Sequence, residues 1–98
     1  MTFKIRWSPR AVTDIKSHLD YVEKNWGIST LRELLKRINE VLNTIANNPK
    51  LYQSFKKRGN IYRCVVTSQI VLYYRINNDV IELITFWDTR QNPENLNL

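Results

Sequence analysis

The chain begins with an alternation of apolar and polar residues over positions 3–7, which is the period of a strand that buries one face. Ser8 and Pro9 follow as a typical helix start, because serine accepts a hydrogen bond from a free amide and proline fits the first helical position. Apolar residues then recur every three or four positions as far as Gly27, a typical C-terminal cap. This pattern predicts a strand followed by an amphipathic helix.

A second helix is predicted from Leu31 to Ile45, where apolar residues keep the same spacing. Thr30 and Glu33 have the spacing of a capping box at its start. Pro49 ends it, because a proline disfavours helical conformation in the residue before it. Since only a few residues separate the two helices, we expect them to pack as an antiparallel hairpin.

Three strand patterns follow in close succession, over residues 61–67, 69–76 and 80–87. Residues 77–79, Asn-Asn-Asp, suit a tight hairpin turn between the last two. Residues 51–60 are predicted to form a loop or a weak edge strand. The order β-α-α-β-β-β predicts an α+β fold in which a helical hairpin packs on one face of a small antiparallel sheet. The first strand is expected at one edge or beside the last strand.

The length of 98 residues predicts one domain, residues 1–98, in which residues 94–98 form a flexible tail. Cys64 is the only cysteine, so it cannot form an internal disulfide. No segment has the length and apolar character of a membrane span, and none resembles a signal peptide. We therefore expect a cytoplasmic protein without a membrane partner. No cofactor or metal is implied, because one histidine and one cysteine cannot form a usual metal site.

The formal charge of +6 is concentrated in one segment. Between Pro49 and Asn78 there is no acidic residue, and the basic residues there are Lys50, Lys56, Lys57, Arg58, Arg63 and Arg75. In the rest of the chain nine basic residues equal nine acidic ones, so this segment holds the whole excess. A basic protein of this kind suits an acidic protein segment or a nucleic acid.

The last strand leads into a polar turn that carries Arg90 and stops at Pro93. A basic side chain at the end of a strand is firmly placed and reaches solvent, which suits an anionic partner. The alternative is a pair between Arg90 and Asp88. His18, the only histidine, is interpreted as a structural residue of the first helix rather than a catalytic one.

Several segments, in the same order along almost the whole chain, resemble the RelE/ParE superfamily of toxins from type II toxin–antitoxin systems. The segments are Trp7-Ser8-Pro9-Arg10-Ala11, Asp20-Tyr21, Ile45-Ala46-Asn47-Asn48-Pro49, Tyr62-Arg63, Leu72-Tyr73-Tyr74-Arg75-Ile76 and Asp88-Thr89-Arg90-Gln91-Asn92-Pro93. The resemblance implies a growth-inhibiting toxin of a toxin–antitoxin or plasmid stabilisation system, neutralised by a cognate antitoxin with an acidic or flexible segment. The antitoxin is expected across the helical hairpin or along a sheet edge, with a toxin–antitoxin hetero-oligomer as a possible assembly.

The superfamily has two branches, and the chemistry favours one of them. RelE-like toxins cut messenger RNA on the ribosome, which requires a base, an acid and positive charge on the phosphate. Here Val71 stands where the resemblance expects an arginine, Val65 and Thr67 replace further basic residues, and no tyrosine or histidine follows Arg90. The resemblance therefore favours a ParE-like, non-enzymatic inhibitor of DNA gyrase. A ribosome-dependent messenger RNA endonuclease and an inactive, antitoxin-binding toxin fold stay open.

The gyrase-inhibitor and the endonuclease interpretations share most of their candidate site residues. Those predicted to bind the target or a nucleic acid are Arg63, Arg90, Lys56, Lys57, Arg58, Arg75 and Tyr73. If the chain is a nuclease, Arg63 and Arg90 are the predicted catalytic residues. The alternatives are a solvated loop for the three consecutive cations and a surface pair with Glu82 for Arg75.

Overall fold

The computed structural model describes residues 2–98, which form two helices, five strands and one short 3₁₀ turn. In chain order the elements are β1 (Lys4–Trp7), α1 (Pro9–Trp26), α2 (Ile28–Asn47), β2 (Gln53–Lys56), β3 (Ile61–Thr67), β4 (Ile70–Asn77), β5 (Val80–Asp88) and the 3₁₀ turn Pro93–Asn95. The segment 51–60 thus contains a short strand, which was one of its two predicted forms.

All five strands belong to one sheet in the order β1-β5-β4-β3-β2. β1 pairs with β5 in parallel, and the other neighbours pair antiparallel. The first strand therefore lies at an edge and also beside the last strand, so both expected positions are combined. The predicted α+β fold, a helical hairpin on one face of a small and mostly antiparallel sheet, is confirmed.

The helix boundaries follow from local chemistry. The Ser8 hydroxyl accepts a hydrogen bond from the Ala11 amide at 3.0 Å and begins α1 as predicted. Gly27 is the only residue between the helices, and its φ of +87° is unfavourable for a residue with a side chain. The predicted capping box at Thr30 is wrong, because this one-residue link lets α2 begin at Ile28 without a side-chain cap.

The core lies between the helical hairpin and one face of the sheet, which we call the inner face. Ile38, Val41 and Ile45 of α2 pack there with Leu72 and Phe86 of the central strands. Burying one side chain of this size stabilises the fold by about 1.5–3 kcal/mol, so the core fixes the helices on the sheet. A helix with the length and apolar character needed to cross a membrane is absent from residues 2–98.

The opposite face of the sheet, which we call the outer face, carries the odd-numbered side chains of β4 and, as far as the register shift after Val65, those of β3, because neighbouring strand residues point to opposite faces. Its centre is an apolar cluster of Val71, Tyr73 and Trp87. Residues 93–98, which we call the C-terminal strap, cover this cluster with Leu96 and Leu98. The sheet therefore buries apolar side chains on both faces.

Candidate functional site

The outer face is basic around its apolar centre. Strand alternation and register place five cations there and, within the described strands, one carboxylate, that of Glu82. The five cations are Lys4, Arg6, Lys56, Arg63 and Arg75. Such an excess of positive charge attracts an anionic partner and speeds its association with this face.

Two of these cations share the carboxylate. Arg6 Nη2 lies 3.3 Å from Glu82 Oε2, and Arg75 Nη1 lies 3.7 Å from Glu82 Oε1. Arg75 Nε also donates a hydrogen bond to the Gly59 carbonyl at 3.1 Å. Exposed pairs of this kind contribute only about 0.2–1 kcal/mol each. The pairing predicted as the alternative for Arg75 is therefore present, and the charge of Arg75 is partly compensated.

Arg63 lies on the outer face without a carboxylate partner among residues 2–98. It is directly opposite Tyr73 in the register of β3 and β4, and its guanidinium carbon is 6.0 Å from the centre of the Tyr73 ring. The Nε of Arg63 is buried and has no hydrogen-bond acceptor. An unpaired buried donor costs free energy, so an oxyanion placed here would gain a hydrogen bond that the protein does not supply.

Tyr73 faces away from the helices, as one of the two adjacent tyrosines must. It is nevertheless only 5% exposed, because Leu96 and Leu98 of the C-terminal strap pack on its cluster. The Phe55 ring also meets the Tyr73 ring edge on, with 4.9 Å between the ring centres. The strap thus covers the aromatic surface that the sequence offered for stacking. The flexibility predicted for residues 94–98 stays a prediction.

The basic loop, residues 56–59, comprises the last residue of β2 and most of the turn that leads to β3, and all four residues are exposed. Lys56 Nζ donates a hydrogen bond to the backbone carbonyl of Leu98 at 3.1 Å. Salt bridges from Lys57 or Arg58 are not found within residues 2–98. The loop therefore carries positive charge into solvent at one end of the sheet, beside the strap.

Arg90 is firmly paired. Its Nε and Nη2 donate to the two carboxylate oxygens of Asp88 at 3.0 and 2.9 Å, and its Nη1 donates to the Tyr21 hydroxyl at 3.4 Å. The side-chain hydrogen bond from Arg90 lowers the pKa of Asp88, and the same bond raises the pKa of Arg90. The pair predicted as the alternative for Arg90 is therefore present, and this cation is less available than its sequence position indicates.

The structure does not bring Arg90 together with the basic loop. The turn that carries Arg90 follows the end of β5 opposite Ile70, whereas Arg75 contacts Gly59 near the other end of β4. Five residues of strand separate Ile70 from Arg75, which is about 17 Å. The predicted site residues thus form two groups, one on the outer face with the loop and one at the far end of the sheet.

A cleft of about 450 Å³ lies beside Arg90, between α1 and the end of β5. His18 lines it, and His18 Nε2 lies 2.7 Å from the Phe86 carbonyl oxygen. Since a carbonyl only accepts, this nitrogen carries the hydrogen. The Asp14 carboxylate, also in the cleft, accepts a hydrogen bond from the Thr85 hydroxyl. His18 and Asp14 thus form hydrogen bonds with residues of β5 that lie beyond the end of its pairing with β1.

A second groove, of about 320 Å³, lies at the end of the hairpin where α1 meets α2. Trp26 lines it at 67% exposure, together with Val22, Leu34 and Ile70. We call it the hairpin groove. Trp26 ends the apolar stripe of α1 and is exposed, although other residues of the stripe pack on the core. The signal for exposure is its place next to Gly27, at the very end of the helix.

Within residues 2–98, no three histidine, cysteine, aspartate or glutamate side chains come together as a possible metal site. Cys64 is buried on the inner face, and burial raises the pKa of its thiol. A buried thiol of raised pKa is a poor nucleophile. This residue is therefore part of the core.

Two helices over a five-stranded sheet in this order define a protein of the RelE/ParE fold. The chromosomal ParDE TA system from P. aeruginosa matches with a TM-score of 0.73 and 10% identity, over 89% of this chain and 96% of that chain. A heterotetrameric YoeB-YefM toxin-antitoxin complex from Staphylococcus aureus matches with a TM-score of 0.60 and 20% identity, over 89% and 97%. The YoeB/ParE toxin from Agrobacterium tumefaciens matches with a TM-score of 0.59 and 11% identity, over 87% and 97%. At these identities the likeness shows the fold alone.

The sequence decides the family. Residues 5–93 match the family described as the ParE toxin of the type II toxin-antitoxin system, parDE. The chain therefore belongs to the ParE toxin family, which makes it a type II toxin–antitoxin toxin and confirms the predicted RelE/ParE superfamily. Among curated proteins, none matches the chain by sequence.

Proposed function

We propose that this ParE-family toxin arrests growth by binding DNA gyrase without cutting RNA, and that a cognate antitoxin neutralises it. The target meets the outer face and the turn that carries Arg90. The residues proposed to contact it are Arg63, Arg90, Arg75, Tyr73, Lys56, Lys57 and Arg58. Five of the seven are cations of the segment that holds the excess charge, which supports an anionic surface on the target.

One observation carries the non-enzymatic part of the proposal: groups that could exchange a proton near the cations are already hydrogen-bonded. Glu82 lies between two arginines, and Asp88 is bound by a third. His18 donates its Nε2 hydrogen to a backbone carbonyl. Cleaving RNA through its own 2′-hydroxyl needs a free base and an acid, and Arg63 supplies neither because it holds its proton at any ordinary pH.

The test is to induce the chain in bacteria without its antitoxin and to measure growth, the DNA-damage response and newly formed RNA 5′ ends. We expect growth arrest with DNA-damage signalling and without new ends phased to codons. The purified chain should also inhibit supercoiling by gyrase. Arg63→Ala should weaken this inhibition at least about tenfold, as expected for a residue central to an interface. Lys24→Ala, which removes an exposed cation on α1, is the matched control and should leave it unchanged.

A messenger RNA endonuclease is the second candidate, because the basic outer face with Arg63 beside Tyr73 suits a phosphate chain and a base. Codon-phased 5′ ends that disappear in Arg63→Ala or Arg90→Ala would establish it and refute the gyrase proposal. Unchanged growth on induction would instead indicate a toxin fold that only binds its antitoxin.

The cognate antitoxin is proposed to dock in the hairpin groove. Trp26 is more than half exposed there, and the apolar side chains of Val22, Leu34 and Ile70 also line the groove. Such a groove fits the apolar face of an amphipathic helix or an extended segment. Solved toxins of this fold include one in a heterotetrameric toxin-antitoxin complex, which supports a hetero-oligomer for this chain.

The docking proposal is tested by measuring the affinity of the purified chain for its antitoxin. Trp26→Ala should weaken binding at least about tenfold, because exposed tryptophans in grooves are frequent hot spots. Leu51→Ala is the matched control, since Leu51 is 59% exposed and follows the opposite end of α2. Equal affinities of the two variants would place the antitoxin elsewhere.

The basic loop is proposed to steer an acidic antitoxin segment towards the toxin. Replacing Lys56, Lys57 and Arg58 by glutamine should slow association at low salt, and the difference should vanish near 0.5 M salt, at about a 4 Å Debye length. An unchanged association rate at low salt would rule out this steering role.

A further inference from the structure

We infer that the C-terminal strap competes with an oxyanion of the target for Lys56 and for the Tyr73 ring beside Arg63, so that the strap is a removable cover over an anion-binding surface. This inference rests on the proposed role of the outer face in target binding and adds its regulation. The two strap leucines pack on a cluster whose Tyr73 ring also lies beside Arg63, an arginine with a buried Nε that has no hydrogen-bond acceptor.

The strap is held by few contacts. Leu96 and Leu98 pack on the apolar cluster and stay half-exposed. Lys56 Nζ donates to the Leu98 carbonyl at 3.1 Å, and Arg10 Nη1 donates to the Asn97 carbonyl at 3.4 Å. Both hydrogen bonds are exposed, so water can replace them. A segment with so few buried contacts opens locally at a small cost in free energy.

The surface under the strap suits an oxyanion better than it suits the strap. Lys56 lies opposite Ile61 in the register of β2 and β3, two residues from Arg63 and therefore about 7 Å along the strand. To these two cations the strap offers a single main-chain oxygen, that of Leu98, at Lys56. A phosphate oxygen would give Arg63 Nε the acceptor it lacks, and charge-assisted hydrogen bonds are stronger than neutral ones.

The competition follows from shared atoms. Lys56 cannot hold the Leu98 carbonyl and turn fully to a phosphate at Arg63. The Tyr73 ring, in the same way, cannot contact both the strap leucines and a group bound beside Arg63. Loosening the strap should therefore raise the apparent affinity for phosphate, because affinity is reduced by the fraction of molecules in which the surface is covered.

The experiment uses inorganic phosphate as the probe and the full-length ¹⁵N-labelled chain. The Nε–Hε resonance of Arg63 is followed during titration and assigned by its absence in Arg63→Lys. In the double variant Leu96→Ser/Leu98→Ser, we expect the apparent Kd to fall at least about tenfold relative to the unaltered chain, as it would if the surface were covered nine-tenths of the time.

Two controls separate loosening of the strap from damage to the fold. Leu51→Ser replaces an exposed leucine far from the strap and should leave the phosphate affinity unchanged. In a Trp26→Phe background, in which Trp7 and Trp87 remain, the double leucine variant should shift the tryptophan emission to longer wavelength, because Trp87 lies under the strap. Its circular dichroism in the far ultraviolet should stay that of the parent.

The inference would be overturned if the Arg63 resonance responded to phosphate equally in the unaltered chain and in the double variant. It would also be overturned if the resonance responded in neither protein. These outcomes leave the proposed toxin activity untouched, because that activity is read from growth and supercoiling. A chain that fails to arrest growth but shows the tenfold difference would refute the proposed function and leave the competition standing.

Discussion

His18 offers the sharpest test of how this fold places its polar side chains. The chain has one histidine, and a histidine in a cleft beside an arginine and two carboxylates resembles a catalytic group. The geometry indicates a structural role instead, because His18 Nε2 lies 2.7 Å from the carbonyl oxygen of Phe86. Phe86 is a residue of β5 beyond the four residues that pair with β1. We therefore treat His18 as a side-chain partner for an otherwise open strand edge.

The expected change in the free energy of unfolding can be worked out for His18→Leu, which removes the hydrogen-bond donor and keeps a similar side-chain volume. In His18→Leu the Phe86 carbonyl loses its partner, which costs about 1–3 kcal/mol. Leucine favours a helix interior over histidine by up to about 0.5 kcal/mol, which offsets part of that loss. We expect a net loss of about 1–2 kcal/mol in the free energy of unfolding, or a fall in Tm of roughly 4–16 °C for a domain of this size.

The assay is urea unfolding of the purified chain, followed by circular dichroism. His18→Gln is the matched control, because the glutamine amide nitrogen can take the place of Nε2 and should keep stability within about 0.5 kcal/mol. The reasoning fails if His18→Leu is as stable as the parent, or if the glutamine variant is destabilised as much as the leucine variant. A folded His18→Leu chain that no longer arrests growth would show that the histidine serves the target instead.

Three further predictions concern groups with defined partners. Tyr74→Phe should lower the free energy of unfolding by about 1–2 kcal/mol in urea, because the buried Tyr74 hydroxyl donates to the Pro49 carbonyl at 2.7 Å. Asp88, whose pKa Arg90 lowers, stabilises the fold above its ordinary pKa of about 3.9, and this contribution is lost as pH falls through the lower folded value. Asp88→Asn should therefore flatten the loss of stability between about pH 5 and pH 2, measured as urea midpoints. Burial raises the pKa of Cys64, so the unfolded chain ionises first and stability should fall above about pH 8.5; Cys64→Ala should flatten that slope between about pH 8 and pH 9.5.

The helices and the central strands could be predicted because their signals are local. Ser8 supplies its cap within three residues, and Gly27 ends α1 through its own backbone. Alternation also separates Tyr73 from Tyr74 on the two faces, without knowledge of the rest of the fold. These features depend on neighbours along the chain, so pattern alone is enough to find them.

What could not be predicted depends on partners distant in sequence. β2 is a strand because four exposed residues find the edge of β3, and nothing in their own pattern requires it. For β1 the sequence predicted two positions, at an edge or beside the last strand, and could not decide between them, because its parallel pairing with β5 joins residues about 76 positions apart. The burial of Tyr73 depends on Leu96 and Leu98, two apolar residues in a segment whose polar composition gave no sign of packing.

The availability of each charged residue in the candidate site also depends on its partners in the fold. The excess of cations in one segment predicts an anionic partner. A cation binds such a partner only with the part of its charge and hydrogen bonding that the protein leaves unused. Arg90 gives two donors to Asp88, and Arg75 shares Glu82 with a neighbour, so both are largely occupied. Arg63 keeps a buried donor without an acceptor. The main candidate for binding an anion is therefore Arg63, the cation with the fewest partners, although Arg90 at the end of the last strand is the more prominent position in the sequence pattern.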